Sequence, residues 1–351
     1  MSDRDPRPSD HLRPLDTDPE RPEDVAAEAR RALQAALFEA KRVIVGQDAM
    51  LERVLVALLA GGHVLLEGVP GLAKTLTVRT LADVMGGTFS RVQFTPDLVP
   101  ADLVGTRIWQ PDKGSFATEL GPVFTNLLLA DEINRAPAKV QSALLEVMQE
   151  HQVTIGGTTY PVPQPFLVLA TQNPIESEGT YQLPEAQVDR FLFKLLVDYP
   201  AVEDEAAVVE RMIGAPPQPR EVLHMEDLLR FRVAVRQVFV DRSVTAYAVA
   251  LVDATRHPSA HGLTELEGLI EYGASPRASI GMVQAAQALA LLRGRAHATT
   301  GDVRDVARDV LRHRLVLSYD ALADGVVPDQ LVERVIASKN APAAHGATAA
   351  A

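Results

Sequence analysis

Eight consecutive residues, Gly68-Val69-Pro70-Gly71-Leu72-Ala73-Lys74-Thr75, have the types and spacing that can hold a phosphate chain. A glycine-rich turn between a buried strand and a helix aims backbone N–H groups and the positive end of the helix dipole at one point, where an anion belongs. In the pattern G-x-x-x-x-G-K-[ST] the lysine reaches the β- and γ-phosphates and the hydroxyl binds Mg2+, roles that fall on Lys74 and Thr75. The apolar run His63-Val64-Leu65-Leu66 supplies the strand, and a helix opens near Leu76. Ala73 stands where the second glycine is expected. Its methyl group still permits helical φ and ψ, so Ala73 is expected inside the first helical turn, with Gly71 keeping the freedom of the loop.

A second stretch carries complementary chemistry. Asn126-Leu127-Leu128-Leu129-Ala130-Asp131-Glu132 reads as a strand buried on both faces that ends in two carboxylates. The carboxyl ends of parallel strands are where an open α/β sheet binds ligands. There Asp131 would hold Mg2+, and Glu132 would orient or deprotonate the water that attacks a γ-phosphate. A further strand, Phe166 to Thr171, ends in Gln172-Asn173-Pro174. If it neighbours the acidic strand, Asn173 stands beside Glu132 and its amide can hold the same water; taken alone, Asn-Pro is only a turn signal. Arg190 precedes a fifth strand, Phe191 to Val197, and in isolation reads as a solvated strand-edge arginine. Ser275-Pro276-Arg277 is a helix start with serine as N-cap and proline at the first position, which puts Arg277 in the first turn.

The elements that must position these groups follow from periodicity. Residues 1–24 hold five prolines and twelve charges with little that is apolar, and are expected to be a disordered tail. Helical patterns cover Val25 to Ala40 and about Asp48 to Leu59, and Thr88 to Phe94 reads as a strand. Two hairpins are expected, one turning at Pro111-Asp112-Lys113-Gly114 and the other at Gly156-Gly157. Between them Pro137 suits the first position of a helix whose apolar residues are Val140, Ala143, Leu144, Val147 and Met148. Past Pro200 the pattern is helical alone. The expected organisation is therefore an α/β nucleotide-binding core over 25–200, an all-helical domain over 201–340 and a tail over 341–351.

Composition bounds the function. The 351-residue chain is 47% hydrophobic, enough for two cored domains. It has no cysteine, which excludes disulfides, thiolate nucleophiles and Cys-ligated zinc. No run approaches the roughly 18 apolar residues of a membrane span and the N-terminus lacks an apolar leader, so the expected location is cytoplasmic. A net charge of −12 without a basic cluster argues against nucleic acid as the main partner.

Taken in order, the motifs resemble the AAA+ ATPases, and within them the MoxR family. The resemblance rests on Glu67 to Thr75, on Leu129-Ala130-Asp131-Glu132 continuing through Ile133-Asn134-Arg135-Ala136-Pro137, on Ala170-Thr171-Gln172-Asn173-Pro174, and on Glu185-Ala186-Gln187-Val188-Asp189-Arg190-Phe191. It spans about residues 40 to 335, and alanine at position 73 is usual in that family. It implies an αβα parallel-sheet P-loop core with a C-terminal helical lid, and ATP and Mg2+ as cofactors. The phosphate loop from Gly68 through Leu76 would bind nucleotide, and Gly46 and Gln47 would line the adenine. Asn173 resembles sensor 1, Arg277 sensor 2, and Arg190 the arginine finger given to a neighbouring subunit, with Arg135 a second candidate for that interface. The hairpins resemble the helix-2 insert and the pre-sensor-1 hairpin. A homo-hexameric ring follows, acting as a chaperone-like remodeller with a partner carrying a von Willebrand factor A domain and a client protein complex. Two other classes stay open: a nucleic-acid motor, and a nucleotide-gated assembly module with little turnover.

Overall fold

The computed structural model describes residues 22–69, 72–173, 180–214 and 217–339. Helices α1 (Pro22–Val43) and α2 (Asp48–Ala60) precede strand β1 (Val64–Glu67), which is followed by α3 (Lys74–Val84) and β2 (Phe89–Gln93). A short helix, α4 (Pro100–Val104), leads into the hairpin of β3 (Gly105–Gln110) and β4 (Ser115–Leu120). Then come β5 (Leu127–Asp131), α5 (Ala138–Glu150), a second hairpin of β6 (Gln152–Ile155) and β7 (Thr158–Pro161), β8 (Leu167–Gln172), α6 (Glu185–Val188) and β9 (Phe193–Leu196). The C-terminal part holds α7 (Val202–Ile213), α8 (Met225–Gln237), α9 (Arg242–Arg256), β10 (Ile270–Tyr272), α10 (Pro276–Leu292), α11 (Thr300–Leu311), β11 (Val316–Leu317), α12 (Tyr319–Ala323) and α13 (Pro328–Ser338).

Five strands form one parallel sheet in the order β2-β5-β8-β1-β9. The continuous apolar run of β5 is explained by the period of a strand. Leu127 and Leu129 point into the core shared with α1, α2, α3 and the C-terminal helices, while Leu128 and Ala130 point into the core shared with α4 and α5. At the C-terminal edge of β1 the chain enters the phosphate loop, and β8 and β9 flank it on either side. Gly68 is required there by space: a Cβ would lie 2.4 Å from the Val197 carbonyl oxygen.

Three expectations are corrected. Helix α1 begins at Pro22, inside the stretch read as a tail, because its face from Val25 through Ala26, Ala29 and Leu33 is buried. Pro137 caps α5 rather than occupying its first position. The C-terminal part is not wholly helical: β10 and β11 pair antiparallel, Ile270 opposite Leu317, in segments too short for periodicity to show. The stretches read as tails from composition, 1–24 and 341–351, lie outside the described residues apart from 22–24 at the start of α1. One buried cluster runs from α1 and α2 through α3 and β9 into α8, α10 and α11, so apolar packing is continuous across residue 200.

The two hairpins stand together, with Tyr160 Oη donating to Thr118 Oγ1 at 3.1 Å. On the first, Arg107 lies over the ring of Phe116, 4.9 Å from its centroid, and Trp109 meets that ring edge-on at 5.1 Å.

His63, at the entrance to β1, is buried and neutral. Its Nδ1 accepts from the Val168 N–H at 3.0 Å, which leaves Nε2 to donate to the Met148 carbonyl at 3.0 Å. Burial pushes its pKa down to about 4, with His151 and Arg232 adding to the same direction. A depressed histidine pKa contributes stability that is complete above the unfolded value and is lost as pH falls toward the folded one. Between pH 7 and 5 the loss from this one group is about 2 kcal/mol. Urea unfolding at the two pH values should therefore show a smaller difference for His63→Gln than for the parent chain, and parallel pH dependences would remove His63 as the cause.

Candidate nucleotide-binding site

The phosphate loop, the acidic strand end and the end of β8 converge on one cavity of roughly 440 Å³ lined by Gly68, Lys74, Thr75, Asp131, Glu132 and Asn173, among others. Parallel pairing explains this convergence. β5 and β8 are neighbours in register, Ala130 opposite Ala170, so their carboxyl ends finish side by side and Asn173 stands with Glu132. Sequence alone left that adjacency conditional. Pro70 and Gly71 of the loop, and Pro174 after Asn173, lie outside the described residues.

Helix α3 starts at Lys74, and the residue before it, Ala73, supplies no side-chain cap to its first N–H groups. Those donors, with Lys74 and Thr75, face the cavity and suit a phosphate. Ala73 departs from expectation: its φ is 54° and ψ 20°, left-handed rather than helical, so it precedes α3 instead of lying in its first turn. Such a backbone costs alanine about 1 kcal/mol that glycine would not incur. Ala73→Gly should therefore raise the urea midpoint, the unfolding free energy gaining up to about 1 kcal/mol before subtraction of the greater chain entropy of glycine. A lower midpoint would contradict the left-handed assignment.

The Lys74 ammonium donates to the Gly68 carbonyl oxygen. Burial lowers its pKa, and the nearby carboxylates of Asp131, Glu132 and Glu67 oppose that shift. Asp131 Oδ1 accepts from Thr171 Oγ1 at 2.6 Å, and its Oδ2 accepts from Arg91 at 2.6 Å. Thr171 Oγ1 also accepts the Glu132 backbone N–H at 2.8 Å. Glu132 has φ 55°, a strained conformation for a non-glycine residue and one that recurs at functional sites. Its side chain is held from two sides, by Gln93 Nε2 at 2.9 Å and by Arg135 Nε at 2.9 Å.

Arg91, Gln93 and Thr171 are the residues that sequence reasoning missed. Arg91 and Gln93 are two apart on β2 and share one face, and Gln93 pairs in register with Asp131. The i, i+2 polar pair at a strand end was a signal, but its meaning depends on β2 lying next to β5.

A hydroxyl on Thr75 and a carboxylate on Asp131 form an oxygen donor set suited to Mg2+, so the residues present fit the ion the motif implies. Next to the phosphate cavity, and sharing Ala73 and Leu76 with it, is a largely apolar cavity lined by Val43, Ile44, Val45, Val208 and Pro217. It suits a base. Gly46 and Gln47, expected to line the adenine, instead line a separate charged cavity with Arg53, Asp309 and Arg312. Gly46 is required by its backbone and by space: φ is 74° and a Cβ would lie 2.8 Å from Asp204 Oδ2.

Arg190 and Arg277 are both exposed, and both line a cavity of roughly 420 Å³ that also includes His63, Asp189, Gln284 and Arg314. Neither lines the phosphate cavity. Arg190 also donates to the Leu145 carbonyl at 3.0 Å. Arg135 lies with Glu132 instead.

The comparisons agree with this geometry. A family model described as the ATPase family associated with various cellular activities (AAA) matches residues 63–193, and an AAA lid domain model matches residues 264–335. Chaperone MoxR1 of Mycobacterium tuberculosis is 58% identical over 314 residues, covering 90% of this chain and 83% of the relative. Protein MoxR of Paracoccus denitrificans is 35% identical, covering 86% and 94%. A crystal structure of a Cytophaga hutchinsonii protein superposes with a TM-score of 0.86 at 48% identity, covering 91% of this chain and 97% of that one. With identity of this extent along nearly the whole chain and the phosphate loop, acidic strand end and Asn173 gathered on one cavity, the chain belongs to the MoxR family of AAA+ ATPases.

Proposed function

We propose that this chain hydrolyses Mg-ATP as a closed hexameric ring and uses the energy to remodel, mature or activate protein complexes. One observation carries the ring: the groups that bind and attack the phosphates line one cavity, while Arg190 and Arg277 line another, so a complete site needs two copies. In this reading Lys74 and the N-terminus of α3 hold the β- and γ-phosphates. Thr75 and Asp131 would hold Mg2+, which when bound neutralises charge on the phosphates. Glu132 takes the proton of the attacking water and Asn173 orients it. Arg190 and Arg277 of the adjoining subunit meet the γ-phosphate, so Arg277, read as sensor 2, acts across the interface together with the finger. Residues 25–200 work as the nucleotide core and 201–340 as the lid.

The M. tuberculosis relative is named a chaperone, which supports protein complexes as clients. A partner with a von Willebrand factor A domain follows from the family resemblance. The cytoplasm, where ATP is supplied, is the location that goes with this reading. Among the described residues no helix is long and apolar enough to cross a membrane.

The test is multiple-turnover phosphate release with and without Mg2+, alongside particle mass with and without ATP. Mg2+-dependent turnover confined to the assembled ring is the expected result. Assembly without turnover would instead make the chain a nucleotide-gated module, and turnover that requires DNA would make it a nucleic-acid motor.

A further inference from the structure

The two arginines that face the proposed partner site are tied to each other by a hydrogen-bond network anchored on a buried arginine. Asp189, immediately before Arg190, accepts from Arg314 Nε at 2.7 Å through Oδ1 and from Ser275 Oγ at 3.0 Å through Oδ2. Ser275 is the N-cap of α10, and the same Oγ accepts the backbone N–H of Arg277 at 3.2 Å. One carboxylate thus links the turn that carries Arg190 to the helix start that carries Arg277.

Arg314 completes the network from the loop after α11. Its side chain is 4% exposed. Its second terminal nitrogen donates to the carbonyls of Asp189 at 3.1 Å and Phe191 at 2.6 Å, and the first to that of Leu192 at 3.2 Å and to that of Val310. With Nε on Asp189, all five guanidinium donors are used. Three of the carbonyls, those of residues 189, 191 and 192, bracket Arg190. His313 Nε2 meets the Phe191 carbonyl as well, at 3.1 Å. A fully buried guanidinium carries a large desolvation cost, and a planar fork with five fixed donors fixes backbone orientation in a way that a lysine cannot.

We propose that Arg314 and Asp189 are positioning residues that lock Arg190 and Arg277 into one two-arginine unit, presented as a block to the γ-phosphate of a nucleotide held by a neighbouring subunit. This rests on the reading that both arginines act across the interface. The unit explains why α10 begins beside the Arg190 turn, and it makes the C-terminal helices and the finger move together when the ring changes state.

The variants are Arg314→Lys, which keeps the charge but has at most three donors, and Asp189→Asn, which keeps the shape and loses the charge. Each should bind a fluorescent ATP analogue within about twofold of the parent, because neither residue lines the phosphate cavity. Turnover should fall about 10- to 100-fold at unchanged KM, the scale of an ångström-level misplacement. Mixing either variant in equal amounts with Glu132→Gln subunits should restore activity toward about a quarter of the parent rate, since a random heterologous ring then pairs an intact acceptor with an intact donor at that fraction of interfaces. Arg190→Ala mixed with Glu132→Gln is run in parallel. If that control is complemented and Arg314→Lys and Asp189→Asn are not, their role is structural and the proposal is overturned; wild-type turnover in both variants overturns it too. If the Arg190→Ala control itself fails to complement, the action across the interface is refuted and the proposal falls with it.

Discussion

Glu132→Gln should lower the turnover number about 10²- to 10⁴-fold, the scale of a lost general base, while ATP binding stays in place. Glutamine has the shape of glutamate and can keep the hydrogen bond with Gln93, so the left-handed backbone at position 132 and the hold of Thr171 on its N–H are undisturbed. The amide cannot take a proton from water. It also releases Arg135, whose Nε now pairs with the carboxylate at 2.9 Å. Phosphate release under multiple-turnover conditions, measured beside equilibrium binding of a fluorescent nucleotide, separates the two effects. Unimpaired release would remove Glu132 from the catalytic role.

The second large effect belongs to Arg190. Arg190→Ala should reduce turnover by about 10³-fold, the magnitude of an arginine that stabilises charge on a transferring phosphoryl group. Binding should again survive, because Arg190 lies on the cavity with Arg277 and Gln284 and not on the one with Lys74. Its side chain donates to the Leu145 carbonyl, and losing that bond exposes one carbonyl near the surface at small cost to stability. Turnover at the parent rate, measured under conditions where the ring is assembled, would refute the finger. Loss of nucleotide affinity in parallel would point to misfolding of the turn.

These two expectations also divide what local sequence can reveal from what it cannot. Strand β1, the loop and α3 are contiguous in the chain, so Gly68, Lys74 and Thr75 could be given roles from spacing alone. Leu127 to Asp131 likewise reported its own burial on both faces and its acidic end. Helix positions were legible for the same reason: the apolar period of α5, α9 or α10 is a property of a single segment.

Strand order is not such a property. That β2 lies beside β5, and β5 beside β8, is set by packing between residues tens of positions apart, and only that order brings Arg91, Gln93 and Thr171 to the two carboxylates. Backbone strain was equally hidden. Nothing in the spacing distinguishes Ala73 in a first helical turn from Ala73 at φ 54°, because the same residue types fit either backbone.

From the sequence by itself came the chemistry: a phosphate loop, an acidic strand end, and three polar groups with roles once the family resemblance is seen. Tertiary structure alone decided which of them share a site. Lys74, Asp131, Glu132 and Asn173 meet because parallel strands in register end together. Arg190 and Arg277 meet elsewhere, bound through Asp189, Ser275 and Arg314, because the C-terminal helices pack on the β9 side of the sheet. Long-range packing fixes such distances, and periodicity within a segment carries no information about them.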